Sequence, residues 1–429
     1  MRLFCTLRCK LQPLFAFALL PGFLYCANAQ TPSARIANYP TLGNPTAALA
    51  TSDSRYIFVS VTNVGGPNYS TPDSEAGKRH GVVSGLQIFR NAGGKLQSIG
   101  LVRLGSKGAN GITLLPGGKT LVVGVGDAGV AFVDVQDAIH GTAKPYFAAQ
   151  GKSAGTYDVV STPDGKYLFS ANEYGHFQGQ RGNVGILTVH YDAAGRVTHV
   201  QTIGHIPAGN KVPSLTISPD GSRLYVAREI LPTKGVSHFS GMGNSMLTKN
   251  DCVQRIGTPP RPNGLITVVD VKRAIASGSG QSAILSEVAA GCSPVRVIEA
   301  RDASTLFVSA RGDNRILIFN PHLLDSDPEH ALLRGFSSGG VAPVGIRLFA
   351  DERRLLVANS NRFVDSNGGV AVLDVSKPAQ PSIVETIPAG EFPRNVNLSP
   401  DGRSLYLTDY TSRTLEIIAV PSSPQIPEK

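Results

Sequence analysis

The sequence predicts an all-β protein, a seven-bladed β-propeller, and three observations predict it. One pattern recurs seven times: an alternating strand, a tight turn, a second strand and then a third strand. The plain spacing between successive turns is 47–50 residues. Units of this size bury their apolar faces only by stacking on neighbours, which predicts a ring of blades.

The clearest copy of the repeat shows each element in order. Pro213–Ile217 alternates as a strand, Ser218-Pro219-Asp220-Gly221 is a turn sequence, Leu224–Ala227 is the second strand and Leu265–Val271 the third. The same turn position recurs in every copy, at Asp53, Gly117, Asp164, Asp220, Asp302, Asp351 and Asp401. Spacings longer than the plain unit indicate insertions between second and third strands.

The two ends of the chain predict how the ring closes. The last unit ends after its third strand, near Val420, and one strand is left over around Arg35–Leu42. We therefore expect the N-terminal strand to complete the last blade, which leaves no open sheet edge. The predicted propeller spans residues 30–420 and is followed by a flexible tail, 421–429.

The first 29 residues have the pattern of a secretory signal peptide. A basic start, with Arg2, Arg8 and Lys10, precedes the largely apolar Leu11–Leu24 and the small residues Ala27-Asn28-Ala29. Cleavage after Ala29 predicts a periplasmic or secreted protein. The apolar run is too short for a convincing membrane span, so we expect no membrane-spanning segment.

Charge and cysteine content restrict the classes of partner. The formal net charge of +9 becomes +6 without the three leader positives. Lys and Arg are scattered rather than clustered, so nucleic-acid binding is not expected, and we expect a monomer. Only Cys252 and Cys292 follow the leader. An oxidising compartment favours a disulfide between them, and a reactive or metal-binding pair is the alternative.

The repeats resemble those of a known family, the YVTN-repeat seven-bladed propellers, which are akin to bacterial lactonase-like propellers. Ser218-Pro219-Asp220-Gly221 and Ser399-Pro400-Asp401-Gly402 match its turn, and Thr162-Pro163-Asp164-Gly165 and Leu356-Val357-Ala358-Asn359 are looser copies. The resemblance covers nearly the whole chain after the leader. It implies the fold and says little about function, because the matching residues are turn and core residues.

Candidate functional residues gather on the face that carries the insertions (Gly65–Gly85, Tyr174–Asn183, Ile230–Gly264 and Ser360–Gly369). Second strands end on this face and innermost strands begin on it. The residues at these strand ends are polar and include Tyr157-Asp158 and Tyr410. The predicted ligand-binding rim consists of Asn110, Asn172, Arg228, Glu229, Arg296, Arg311, Asn359, Arg394, Asn395 and Asp409. Such a ring suits a polar or anionic ligand. The alternative is that these groups only pair with one another.

The lactonase resemblance also implies an enzymatic alternative. Asn172-Glu173 is similar to the Asn-Glu after a second strand in that family, which makes Glu173 the candidate catalytic base. The family's Pro-Arg-His at an innermost strand is not reproduced, since this chain has Pro393-Arg394-Asn395 and Pro294-Val295-Arg296. The missing histidine weighs against hydrolysis of a sugar or aromatic lactone.

A third hypothesis concerns the longest insertion. His238, Met242 and Met246 are four residues apart and would share one face of a helical turn. Imidazole and thioethers suit copper, although methionines in loops more often fill gaps. No resident cofactor is otherwise expected. The leading interpretation is a binding module for a small molecule or protein partner, with a lactonase-like hydrolase and a copper-binding propeller as alternatives.

Overall fold

The computed structural model describes residues 34–66, 82–106, 108–152, 154–177, 180–209, 211–229, 263–278, 280–349, 351–362 and 366–420. All of them belong to one compact unit, Pro32–Lys429. The predicted signal peptide, the C-terminal tail, the copper residues His238, Met242 and Met246, and Cys252 lie outside the described residues. No helix among the described residues is long and apolar enough to cross a membrane.

The described strands form seven four-stranded antiparallel sheets, which confirms the predicted propeller. Blade 1 contains β2 (Asn44–Ala50), β3 (Tyr56–Val64), β4 (Val83–Ala92) and β5 (Lys95–Arg103). Blade 2 contains β6 (Ile112–Leu114), β7 (Thr120–Gly124), β8 (Val130–Asp134) and β9 (Tyr146–Ala148). Blade 3 contains β10 (Thr156–Ser161), β11 (Tyr167–Phe177), β12 (Gln180–Tyr191) and β13 (Val197–Pro207).

The remaining blades repeat this order from the channel outward. Blade 4 contains β14 (Ser214–Ile217), β15 (Arg223–Arg228), β16 (Asn263–Asp270) and β17 (Ile284–Cys292). Blade 5 contains β18 (Pro294–Glu299), β19 (Leu306–Ala310), β20 (Arg315–Phe319) and β21 (Leu332–Ser337). Blade 6 contains β22 (Pro343–Phe349), β23 (Arg354–Asn359), β24 (Asn367–Asp374) and β25 (Ser382–Glu391). Blade 7 contains β26 (Pro393–Leu398), β27 (Ser404–Asp409), β28 (Thr414–Ala419) and β1 (Ala34–Pro40).

The N-terminal strand closes the ring as predicted. β1 pairs antiparallel with β28, with Tyr39 opposite Leu415. The junction between the first and last blades is packed with apolar side chains, including Ile57 and Val59 from blade 1 and Tyr406 and Ile417 from blade 7. Burial of this surface makes the junction part of the core rather than an exposed edge.

Two short helices, α1 (Val135–His140) and α2 (Val271–Ser277), follow the third strands of blades 2 and 4. The sequence analysis did not predict them. Asp134 and Asp270 cap their N-termini by accepting backbone N–H groups, and Gly141 and Gly278 end them in the left-handed conformation. An Asp at a strand end with a Gly seven or eight residues later was the available signal.

Side chains of innermost and second strands bond to the backbone of the neighbouring blade. Thr46 Oγ1 donates to the Ala109 carbonyl at 2.6 Å, and Ser309 Oγ donates to the Val344 carbonyl at 2.9 Å. Asn397 Nδ2 donates to the Ala48 carbonyl at 3.0 Å across the closing junction. These bonds fix the wall of the central channel, from which the site is built.

Candidate functional site

A cavity of about 520 Å³ opens at the mouth of the central channel, on the face where second strands end and innermost strands begin. We call this the cavity face, and the opposite face, which carries the first-to-second strand turns, the turn face. The structure brings together six of the predicted residues in the lining: Asn110, Glu173, Glu229, Arg296, Arg311 and Arg394. The cavity volume lies within the range of small-molecule sites, about 300–1,000 Å³.

The other five predicted rim residues do not line the cavity. Asn172 is buried and bonds to Thr156 and Asn183, and Arg228 is buried against Thr267 and Glu287. Asn359 Nδ2 donates to the Ser338 carbonyl at 2.9 Å. Asp409 accepts from Thr414 Oγ1 at 3.1 Å, and Asn395 lies opposite Thr408 inside blade 7. These side chains face the interior of the blades because strand alternation directs them away from the channel.

The residue that precedes an innermost strand repeatedly adopts a left-handed backbone without being glycine. Lys211 has φ 53° and Phe392 has φ 56°. The Lys211 carbonyl accepts the N–H of Glu229 at 3.0 Å, and the Phe392 carbonyl accepts the N–H of Tyr410 at 2.8 Å. Such a conformation costs on the order of 1 kcal/mol for a non-glycine residue. It sets Lys211 beside Glu229, and Phe392 beside Tyr410, in the cavity wall.

One side of the cavity is a charge network that spans three blades. Arg311 donates to Glu229 at 3.1 Å, and both side chains are almost fully buried. The Lys211 ammonium lies between Glu229 at 3.9 Å and Glu173 at 4.0 Å. Burial and the neighbouring Glu229 charge raise the pKa of Glu173, against the opposing effects of Lys211, Tyr174 and Arg394. A carboxylate with a raised pKa is suited to exchange a proton near neutral pH.

The other side of the cavity alternates guanidinium groups with aromatic rings. The Arg394 guanidinium lies over Tyr157 at 5.2 Å and over Tyr410 at 5.0 Å from the ring centroids, and it donates to the Tyr157 hydroxyl. Arg362 lies over Phe392 at 5.7 Å. Phe392 and Tyr410 contact each other with ring centroids 5.3 Å apart. Ring faces hold the guanidinium planes in place by cation–π attraction.

A fifth cation, Arg296, lies beside a carboxylate of the channel wall. Arg296 Nη1 donates to the Pro213 carbonyl at 3.2 Å and to the Val295 carbonyl at 2.8 Å. Asp158 is partly accessible from the channel but surrounded by protein, and this burial raises its pKa against the attraction of Arg296. Asp158 also accepts the N–H groups of Val159 and Leu215. Arg296 is thus oriented by backbone carbonyls as well as by charge.

Several lining residues were missed by sequence reasoning, chiefly Lys211, Tyr174, Arg362 and Phe392. Phe392 directly precedes Pro393 at an innermost strand, and Lys211 stands two residues before Pro213. Tyr174 directly follows the predicted Glu173. The position of Lys211 and Phe392 shortly before a proline was the signal available in the sequence. The direction of the Arg362 side chain depends on the fold of its loop.

The metal and disulfide predictions are not resolved by the described residues. They contain no group of three His, Cys, Asp or Glu side chains placed to hold a metal ion. The copper residues lie outside them, so that hypothesis stays a prediction. Cys292 is disulfide-bonded. Because Cys252 lies outside the described residues, the pairing itself also stays a prediction.

Comparison with known proteins supports the fold and the resemblance to lactonase-like propellers. The family model for lactonase, a 7-bladed β-propeller, matches residues 337–425, which include blade 6 and the C-terminal strands of blade 7. The YVTN repeat itself is not shown by this match. No curated protein matches the sequence.

Solved structures share the fold of the chain at low sequence identity. A chain of the mitotic checkpoint complex matches with a TM-score of 0.61 at 13% identity, over 96% of this chain and 99% of that one. Hydrazine synthase of Kuenenia stuttgartiensis matches with a TM-score of 0.57 at 15% identity, over 94% and 100%. The Cps50 (Swd1) β-propeller domain of Myceliophteria thermophila gives 0.58 at 12% identity, over 91% and 100%. Such low identities show the fold alone.

Proposed function

We propose that the cavity on the cavity face binds a small organic anion, with a carboxylate as the recognised group. The observation that carries this proposal is the charge of the lining. Five cationic side chains (Lys211, Arg296, Arg311, Arg362 and Arg394) face three carboxylates (Asp127, Glu173 and Glu229). An excess of guanidinium groups in a concave site attracts an anion and can bind its carboxylate through paired hydrogen bonds.

Arg394 is the residue best placed to bind the anion. The paired charges of Arg311 and Glu229 compensate each other, whereas Arg394 contacts two tyrosine rings and one hydroxyl and acts on Glu173 only through its charge. Ring contacts leave guanidinium N–H groups available to a carboxylate. Phe392 and Tyr410 add apolar surface next to it, which favours an anion that carries a planar or apolar part.

The proposal is tested by a thermal-shift screen of residues 30–429 with carboxylates and their uncharged methyl esters. Phthalate with dimethyl phthalate, and citrate with trimethyl citrate, are suitable pairs. We expect saturable stabilisation by at least one acid and none by its ester, because a ligand of the folded state stabilises it. Stabilisation by esters alone, or by no acid, would contradict the proposal.

Lactone hydrolysis is the second candidate, favoured by Glu173 in the cavity and by the lactonase match over 337–425. The Glu173 carboxylate would take a proton from water, whose oxygen forms a bond to the lactone carbonyl carbon. Cationic side chains would stabilise the resulting oxyanion. The ring C–O bond then breaks, and the leaving alkoxide takes the proton back from Glu173, which yields a hydroxy acid.

This second function is tested by Glu173→Gln. We expect turnover of a sugar or aromatic lactone to be lost while binding of the hydroxy-acid product persists, since the amide cannot accept the proton but keeps the shape. Equal turnover by the variant would eliminate the mechanism. A binding module without chemistry predicts no turnover above the uncatalysed rate by either protein.

A further inference from the structure

A pair of histidines on blade 3 forms a second feature, separate from the cavity. His190 on β12 lies directly opposite His199 on β13 in the antiparallel register. Both side chains are exposed, and their ring centroids are 5.7 Å apart with an interplanar angle of 32°. The pair lies close to the Asp192–Arg196 turn, at the turn-face end of the outer edge of the blade.

We propose that His190 and His199 together chelate a divalent transition-metal ion of the Zn²⁺, Ni²⁺ or Cu²⁺ class. Imidazole nitrogens are preferred ligands of these ions. Each nitrogen lies about 2 Å from a bound ion, so two imidazoles on one ion have ring centres roughly 5 to 6 Å apart. The observed 5.7 Å separation is in that range before any backbone movement.

The surroundings leave both rings available to a metal ion. Across the described part of the chain, neither imidazole is engaged in a hydrogen bond or an ion pair, and the ring contact of each is with the other. His330, by contrast, has its Nδ1 committed to Asp327 at 2.9 Å. The ladder pairs the two strands regularly on one side of the pair, where Thr188 lies opposite Gln201, and its register shifts on the other side, between His190 and Tyr191. The paired strands set the spacing of the two ligands, which lowers the conformational entropy that opposes chelation.

The site differs in chemistry from the copper site predicted around His238. Two imidazoles without thioethers suit borderline divalent ions, whereas Met242 and Met246 would select soft Cu(I). It also differs in place from the anion cavity, so the two proposals stand independently. Water would complete the coordination, because the pair supplies two ligands.

The test is a titration of the protein with Ni²⁺, measured by calorimetry. Variants are H190A, H199A and the double variant H190A/H199A. The matched control is H140A/H322A, which removes two exposed histidines that lie on separate elements. H238A reports on the predicted loop site. Thermal unfolding without metal verifies that each variant is folded.

We expect a Ni²⁺ site in the wild type that weakens at least about tenfold in each single variant, because one imidazole cannot chelate. The double variant should lose it, whereas H140A/H322A and H238A keep it. Electron paramagnetic resonance of the Cu²⁺-loaded protein should show two equatorial imidazole nitrogens that disappear with H190A/H199A. Unchanged binding in H190A/H199A, or loss of the site in H140A/H322A, would overturn the proposal.

Discussion

The charged residues on the two faces of the propeller are paired differently. On the turn face, the aspartates of the strand-connecting turns bond to residues near them in sequence: Asp220 accepts from Ser218 Oγ at 2.5 Å and from the Ser222 N–H at 3.0 Å. On the cavity face, Glu229 meets Arg311 from the next blade. Local bonds lower the pKa of Asp220, whereas enclosure raises that of Glu173. The charges of the turns stabilise the local fold, whereas the charges of the cavity face are brought together at a cost in desolvation free energy.

The largest expected effect is the difference between the two faces in the free energy of unfolding that is lost when an ion pair is broken. Arg311→Ala leaves the buried Glu229 without its guanidinium partner, and we expect a loss of about 3–5 kcal/mol in the free energy of unfolding. The matched control is Arg301→Ala, whose partner Glu352 lies on the turn face and whose side chain is 77% exposed. That change should cost about 1 kcal/mol or less. Urea unfolding measures both, and equal losses would refute the contrast.

The second prediction concerns pH, which should act with opposite signs at Asp409 and at Asp53. Burial and the neighbouring Glu416 raise the pKa of Asp409 to about 8, above its unfolded value of 3.8. Its stabilising contribution is therefore complete below pH 3.8 and is lost as pH rises towards 8. Bonds from Thr51 and Arg55 lower the pKa of Asp53 to about 2, so its contribution is present above pH 3.8 and is lost as pH falls through 2.

Asp409→Asn tests whether the stability contributed by Asp409 falls as pH rises. The amide cannot ionise, so the variant should lose less stability than the wild type between pH 4 and 8, by on the order of 3 kcal/mol. Glu299, whose pKa burial raises to about 7, contributes with the same sign and remains in the variant. Urea unfolding across this pH range measures the difference. An identical pH dependence in the two proteins would show that Asp409 is ionised throughout.

A third prediction concerns affinity. Arg394→Gln should weaken binding of the recognised carboxylate by about 10- to 100-fold, the effect of removing a hydrogen bond to a charged group. The control is Arg273→Gln, which removes an exposed arginine on α2 and should leave affinity unchanged. Calorimetric titration separates this effect from stability, which circular dichroism melts monitor in parallel.

The smallest expected effect is at a single turn. Ser218→Ala removes one bond to Asp220 and the acceptor of the Arg223 N–H at 2.9 Å, and should cost about 1 kcal/mol. The equivalent changes Thr51→Ala and Ser399→Ala lie in other blades, so their costs should add. Urea unfolding of the triple variant checks this, and a cost far from the sum would show that the turns are coupled.

The same contrast explains what the sequence could predict. Strand alternation, the Ser-Pro-Asp-Gly turns and the unpaired strand at Arg35–Leu42 are local signals, and they predicted the blades and their closure. The cavity depends on residues such as Glu229 and Arg311, which are 82 positions apart. Sequence position placed them on the correct face. It did not show that Asn172, Arg228 and Asp409 turn into the blades, because one step along a strand reverses the direction of a side chain.

The residues missed by sequence reasoning have a common cause. Lys211 and Phe392 reach the cavity through a left-handed backbone, which their residue types disfavour. A hydrogen bond from the end of the second strand of the same blade holds each carbonyl, at Glu229 N–H and Tyr410 N–H, so no local propensity indicates the conformation. Gly155, at the equivalent place in blade 3, shows the alternative, since an added Cβ there would lie 2.6 Å from the Tyr174 ring.

The most direct test of the central claim is a titration of the best-binding carboxylate into three proteins: the wild type, Arg394→Gln and Arg273→Gln. The account predicts saturable binding by the wild type and by Arg273→Gln, much weaker binding by Arg394→Gln, and none of the uncharged ester by any of them. Equal affinity of all three proteins for the acid would contradict the claim that the cavity face directs its arginines at an anion.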